Sequence, residues 1–106
     1  MNDFIDLKGA SGASYRFRLW AEGAAHQPIA GNFALVKEET EGFSIVGVGE
    51  TLDLSLLRAD LPKAAMRSVT HIYTRLNVAR AIRVAEHEDL TARYKPARIK
   101  ESSAHA

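Results

Sequence analysis

Two apolar runs, Gly31-Asn32-Phe33-Ala34-Leu35-Val36 and Phe43-Ser44-Ile45-Val46-Gly47-Val48-Gly49-Glu50-Thr51, stand on either side of a carboxylate-rich link, Lys37 to Gly42. Both runs have the length and composition of strands, and a short polar link ending in glycine between them predicts a β-hairpin. Leu52-Asp53-Leu54-Ser55-Leu56-Leu57-Arg58 follows at once, with Leu54, Leu57 and Leu61 at helical spacing and Pro62 placed to close the segment. Asp53 or Ser55 is the cap. The hairpin therefore delivers the chain straight into a helix start, and a strand-to-helix junction containing glycines is a common place for phosphate to bind.

The chain before this unit reads as a second hairpin. Phe4-Ile5-Asp6-Leu7-Lys8 and Ser14-Tyr15-Arg16-Phe17-Arg18-Leu19-Trp20 nearly alternate, and Gly9-Ala10-Ser11-Gly12 between them is turn chemistry. A period of two puts Tyr15, Phe17 and Leu19 on one face and Arg16, Arg18 and Trp20 on the other. Cations mixed with an aromatic suit contact with nucleic acid, and an ordinary half-exposed sheet face has the same composition. Residues 21–30 form a loop, broken by Gly23 and Pro28; His26 sits there without a nearby ligand or catalytic partner.

After the short helix, Lys63 to Ser68 is a connector with room for one helical turn. Val69-Thr70-His71-Ile72-Tyr73-Thr74-Arg75-Leu76 is dense in β-branched and aromatic residues and predicts a strand, with His71, Tyr73 and Arg75 on one face. Asn77 is a good N-cap, and the stretch from Val78 to Tyr94 contains no glycine or proline, so one long helix follows. Val78, Ile82, Ala85 and Ala92 gather on one side at about 100° per residue, with Asp89 inside that stripe and Glu86 at its edge. A carboxylate on a core-facing stripe is costly unless it is hydrogen-bonded, paired or bound to a cation. Asp89 and Glu86 are thus the most informative charges, and Arg93, four residues on, is one available partner for Asp89. Residues 98–106 are small, polar and basic, and are expected to form a disordered tail.

At 106 residues with 46% hydrophobic content, the chain suits one small domain with a single core, here taken as residues 1–97. No run approaches the roughly 18 apolar residues of a membrane span, and Met1-Asn2-Asp3-Phe4 lacks the basic start and apolar core of a signal peptide. Both point to the cytoplasm. The absence of cysteine removes disulfides and thiolate metal sites. A net charge of +1 hides an asymmetry: residues 1–52 hold 4 Lys/Arg against 7 Asp/Glu, and residues 53–106 hold 10 against 6. A polyanion would meet the basic second half.

Taken together, the triplet Gly31-Asn32-Phe33, the run Val46-Gly47-Val48-Gly49-Glu50-Thr51, the arginine at 58 and Ala85-Glu86-His87-Glu88-Asp89-Leu90 before Pro96 resemble the GIY-YIG nuclease superfamily. Gly31-Asn32-Phe33 stands for the first triplet and Gly47-Val48-Gly49 for the second, and the resemblance covers residues 31–97. It implies an α/β (α+β) fold: a small, mostly antiparallel sheet of about five strands flanked by two principal helices.

In function it implies a divergent, metal-dependent DNA endonuclease that hydrolyses phosphodiester bonds. Arg58 would polarise the phosphate, Phe33 and Gly47 would stand where the family has tyrosines, and Glu86 would bind Mg²⁺, with Glu88 and Asp89 in reserve. His87 is the position best spaced from Leu90 and Pro96 for the family glutamate. Phe33 keeps a ring without the hydroxyl, and Gly47 keeps neither, so His71 and Tyr73 are the candidates to replace the lost proton chemistry. DNA contacts would come from Arg58, Lys63, Arg67, Arg75, Arg80 and Arg83. The alternative is a catalytically inactive GIY-YIG-like domain that binds nucleic acid or a protein partner, a second copy included, since a small sheet has exposed edge strands.

Overall fold

The computed structural model describes the backbone of residues 1–105 and the side chains of residues 1–94. Five strands, β1 (Phe4–Lys8), β2 (Ser14–Trp20), β3 (Gly31–Glu38), β4 (Phe43–Thr51) and β5 (His71–Leu76), form one antiparallel sheet in the order β1-β2-β5-β3-β4. Two hairpins are thus joined through a central β5, which pairs with β2 on one side and β3 on the other. The fold is α+β, as expected. Among the described residues no helix is long and apolar enough to cross a membrane.

Between β4 and β5 the chain makes three short helical pieces: a 3-10 turn at Leu54–Leu56, α1 (Leu57–Asp60) and a second 3-10 turn at Lys63–Met66. Asp53 caps the first, accepting from the Ser55 amide at 2.9 Å and the Ser55 hydroxyl at 2.6 Å. That satisfies an amide which has no partner at a helix start. Extended backbone at Leu61 and Pro62 then stops α1.

The second principal helix, α2 (Arg80–His105), starts two residues later than the sequence pattern suggests and runs on past Tyr94. The expected tail, 98–106, falls on residues whose side chains lie outside those described.

Apolar residues fill both faces of the sheet. On one, Ile5, Leu7, Phe17, Val36, Ile45, Val48 and Tyr73 pack with Leu90 of α2. On the other, Trp20, Leu35 and Ile72 pack with Leu54 and Leu57 of the short helical pieces. Each such side chain contributes roughly 1.5–3 kcal/mol when fully buried.

The apolar side expected for α2 is corrected by these contacts. Val78 and Ile82 are 72% and 54% exposed, whereas Arg83 is 2% exposed and Leu90 is buried. Arg83, Leu90 and the half-buried Tyr94 follow one another at helical spacing, so the buried line of α2 begins with a cation. Polar partners on the sheet make that possible.

The strand register lays out the face opposite α2. Phe4, Arg18, Thr74, Phe33 and Gly49 are successive Cα partners, one from each strand, and form a single row across the sheet. The next row comprises Trp20, Ile72, Leu35 and Gly47. The short helical pieces cover Leu35, Ile72 and Trp20, and Phe4, Arg16 and Arg18 at the β1–β2 end stay exposed.

Candidate nucleic-acid interface

The residues of both triplets lie on this face. Phe33 and Gly49 are direct partners, and a Cβ at Gly49 would collide with the Phe33 ring. The glycine is therefore required for the ring to lie across β4. Gly47 faces Leu35 in the neighbouring row, where a Cβ would come only to 3.8 Å from Leu35 Cδ1.

Arg58 projects from α1 onto the same face. Its guanidinium carbon lies 4.3 Å from the centre of the Trp20 ring, and its Nη2 donates to the Trp20 carbonyl at 3.0 Å. The arginine is exposed, and the cation–ring contact fixes its direction. Arg58 and His71 both line a cavity of about 390 Å³ beside Trp20. His71 Nδ1 lies 2.8 Å from the Thr70 hydroxyl.

Tyr73 is not beside His71 in that cavity. It is fully buried in the core under α2, and its hydroxyl donates to the Asn2 carbonyl. Burial, with Asp3 and Glu38 nearby, pushes its pKa above the usual phenol value. A phenol so placed cannot replace a hydroxyl on the opposite face.

Glu86 points from α2 toward the sheet. Arg75 donates to it from Nε at 2.8 Å and from Nη2 at 3.4 Å, and Asn77 Nδ2 donates at 2.9 Å. Asn77 Nδ2 also donates to Asn32 Oδ1, Asn32 Nδ2 donates to the Arg83 carbonyl, and Arg83 Nε donates to Glu50 at 2.8 Å. Arg83 further donates to the carbonyls of Asn77 and Val78. This network leaves no buried side-chain polar atom unpartnered among the described residues.

Asp89 is equally committed. It accepts from the Ser11 amide at 2.8 Å and from the hydroxyls of Ser11 and Tyr15 at 2.7 Å each. Its partners are the first hairpin, not Arg93. Those bonds hold its carboxyl below the usual carboxylate range. Glu88 is exposed.

The residues present do not suit Mg²⁺, a hard cation that seeks several free oxygen ligands. Glu86 is neutralised by arginine, Asp89 is tied to the β1–β2 turn, and among the described residues no three acidic or histidine side chains converge.

Of the six cations expected to meet DNA, Arg83 is removed from the surface by burial, which its pairing with Glu50 permits. Arg75 is held by Glu86 and stacks near Tyr15, 5.5 Å from the ring centre. Arg58, Lys63, Arg67 and Arg80 are exposed, with Arg80 at the start of α2 and away from Arg58 in the chain.

A larger groove, of about 500 Å³, opens at the uncovered β1–β2 end of the sheet. Its lining includes Arg16, Arg18 and Arg75 and no carboxylate. Its wall is the 21–27 loop, which Trp20 pins by donating from Nε1 to the Ala24 carbonyl at 2.8 Å. His26 ties the loop to β5, with Nδ1 2.9 Å from the Gln27 carbonyl and Nε2 2.8 Å from the Thr74 hydroxyl. A carbonyl only accepts, so Nδ1 carries a hydrogen.

Comparison with protein-family models, curated proteins and solved structures finds no match to this chain.

Asn32, Glu50 and Asn77 escape a reading aimed at catalytic residues. Asn32 did carry a signal: an amide within an otherwise apolar strand run is costly to bury without partners.

Proposed function

We propose that this chain is a divergent GIY-YIG-like domain of the cytoplasm that binds nucleic acid, DNA foremost, without cutting it. One observation carries the reading. A groove lined by Arg16 and Arg18 and by no carboxylate opens on the same sheet face as Phe33, Gly47, Gly49 and Arg58, while the Arg75 guanidinium turns to the other face and Glu86. The residue types favour phosphate as ligand, because guanidinium groups match phosphate oxygens in charge and geometry. The missing hydroxyls at Phe33 and Gly47, and the engagement of Glu86 by Arg75, favour binding over hydrolysis.

Salt dependence tests this directly. Three phosphate contacts, from Arg16, Arg18 and Arg58, would reduce DNA affinity by about 20-fold for a single strand and about 40-fold for a duplex between ~50 and ~200 mM salt. An affinity indifferent to salt would rule the reading out.

Hydrolysis is the second reading, supported by Arg58 and His71 lining one cavity. In it His71 takes a proton from the water that attacks phosphorus, one P–O ester bond breaks, the leaving alkoxide takes up a proton as the alcohol, and Arg58 stabilises charge on the phosphate. Incubation of supercoiled plasmid with Mg²⁺ or Mn²⁺ is expected to leave the plasmid intact. Nicking by the parent protein that disappears in both Arg58→Ala and His71→Ala would instead establish a nuclease.

A further inference from the structure

The groove at the open end of the sheet has a shape that narrows its ligand. Its floor is sheet, where Phe4 and Arg18 are direct partners on neighbouring strands and Arg16 lies two residues along β2. Phe4 is 49% exposed, and the Arg16 guanidinium carbon sits 5.6 Å from its ring centre. Arg16 is paired with Asp6 at 3.0 Å, whereas Arg18 is exposed and has no ion pair among the described residues. The opposite wall is pinned to the floor at Ala24 and His26, so the recess is formed before any ligand arrives.

Reading a duplex requires an element that projects into a groove about 12 Å wide. The helical pieces on this face are only three or four residues long, and the one long helix, α2, packs on the other side. Unpaired bases need the opposite geometry, a flat apolar floor with aromatic rings or guanidinium planes to stack on and cations beside it for the backbone. A recess of about 500 Å³ is also on the scale of a small-ligand site, which a single nucleotide fits and a duplex does not.

We infer that the groove between the β1–β2–β5 floor and the 21–27 loop is a site for unpaired nucleotides, so that the nucleic acid this domain takes is single-stranded. A base lies against the Phe4 ring, and Arg18 and Arg16 hold the flanking phosphates. The assignment rests on the nucleic-acid reading above and names its substrate class.

Fluorescence anisotropy with a labelled oligothymidylate of about ten nucleotides, within the range of single-strand site sizes, and with a duplex of equal length tests it. The single strand is expected to bind at least tenfold more tightly. Phe4→Ala is expected to weaken it by about 5- to 150-fold, the equivalent of one lost base stack, with Phe4→Tyr restoring it. Arg18→Ala should lower both affinity and salt slope. Both side chains are exposed, so far-ultraviolet circular dichroism and Tm should stay at parent values.

Preference for the duplex, or single-strand binding indifferent to both substitutions, would overturn the inference while leaving nucleic-acid binding in place. Binding of neither probe would overturn the reading on which it rests.

Discussion

Asp89 joins two parts of the chain that sequence separates widely, α2 and the turn between β1 and β2. Its carboxylate takes three hydrogen bonds from Ser11 and Tyr15, and its backbone carbonyl accepts from the Ala10 amide at 3.1 Å. Gly9 makes the approach possible, since a Cβ there would run into the carboxylate. The bonds to Ser11 and Tyr15 lower the native pKa of Asp89. In the unfolded chain an aspartate titrates near 3.9. The stabilisation is therefore fully present above about pH 4 and disappears as pH falls through the lower native value. Acid titration of Tm should show this loss for the parent and a flatter curve for Asp89→Asn. Gly9→Ala should reproduce the effect at neutral pH by displacing the carboxylate, seen as faster hydrogen exchange at the Ser11 amide. Parent-like exchange at Ser11 in Gly9→Ala would show that the turn is held by something else.

At the scale of elements, the strands and the existence of the long helix were legible, and the buried face of that helix was not. Alternation and turn residues placed β1, β2 and β4 with the bounds they have, because strand faces here are sorted by hydrophobicity and the links carry glycine. The orientation of α2 escaped the same logic. Its buried line starts with Arg83, an ionic side chain that no apolar count selects, and leaves Val78 and Ile82 to solvent. Arg83 is stable inside because Glu50 and two carbonyls satisfy it, and those partners are supplied by β4 and by the chain entering the helix. Arg83 is buried but its partner Glu50 is about one-third exposed, so Arg83→Ala, which removes a charged hydrogen bond, should cost about 1–3 kcal/mol. Leu90→Ala should cost about 2–5 kcal/mol through lost burial and a cavity. Val78→Ser should stay within about 0.5 kcal/mol of the parent. Urea denaturation at neutral pH measures all three, and a destabilising Val78→Ser with a neutral Arg83→Ala would invert the orientation of the helix.

Over the whole molecule, the sheet divides the chain's chemistry between two faces. The face of Arg16, Arg18 and Trp20 could be read from period two alone, and Arg58 joins it by stacking on Trp20. The partnership of Glu86 with Arg75 and Asn77 could not be read, since those residues meet only through the crossing of α2 over the sheet. Arg58 and Glu86, which a nuclease would bring to one phosphate, consequently serve different ends. Glu86→Ala strands Arg75 and Asn77 and should lower stability by about 1–3 kcal/mol, while oligonucleotide affinity of the folded protein stays within about twofold of the parent, or ~0.4 kcal/mol. Arg58→Ala should do the reverse, weakening oligonucleotide binding and costing about 0.5–1 kcal/mol of stability for the exposed cation–ring contact. Residues without shared partners have additive effects to within about 0.3–0.5 kcal/mol. The double variant should therefore equal the sum of the two singles in both stability and affinity. A coupling above ~1 kcal/mol in affinity would mean that one ligand senses both residues at once, as a single catalytic centre requires.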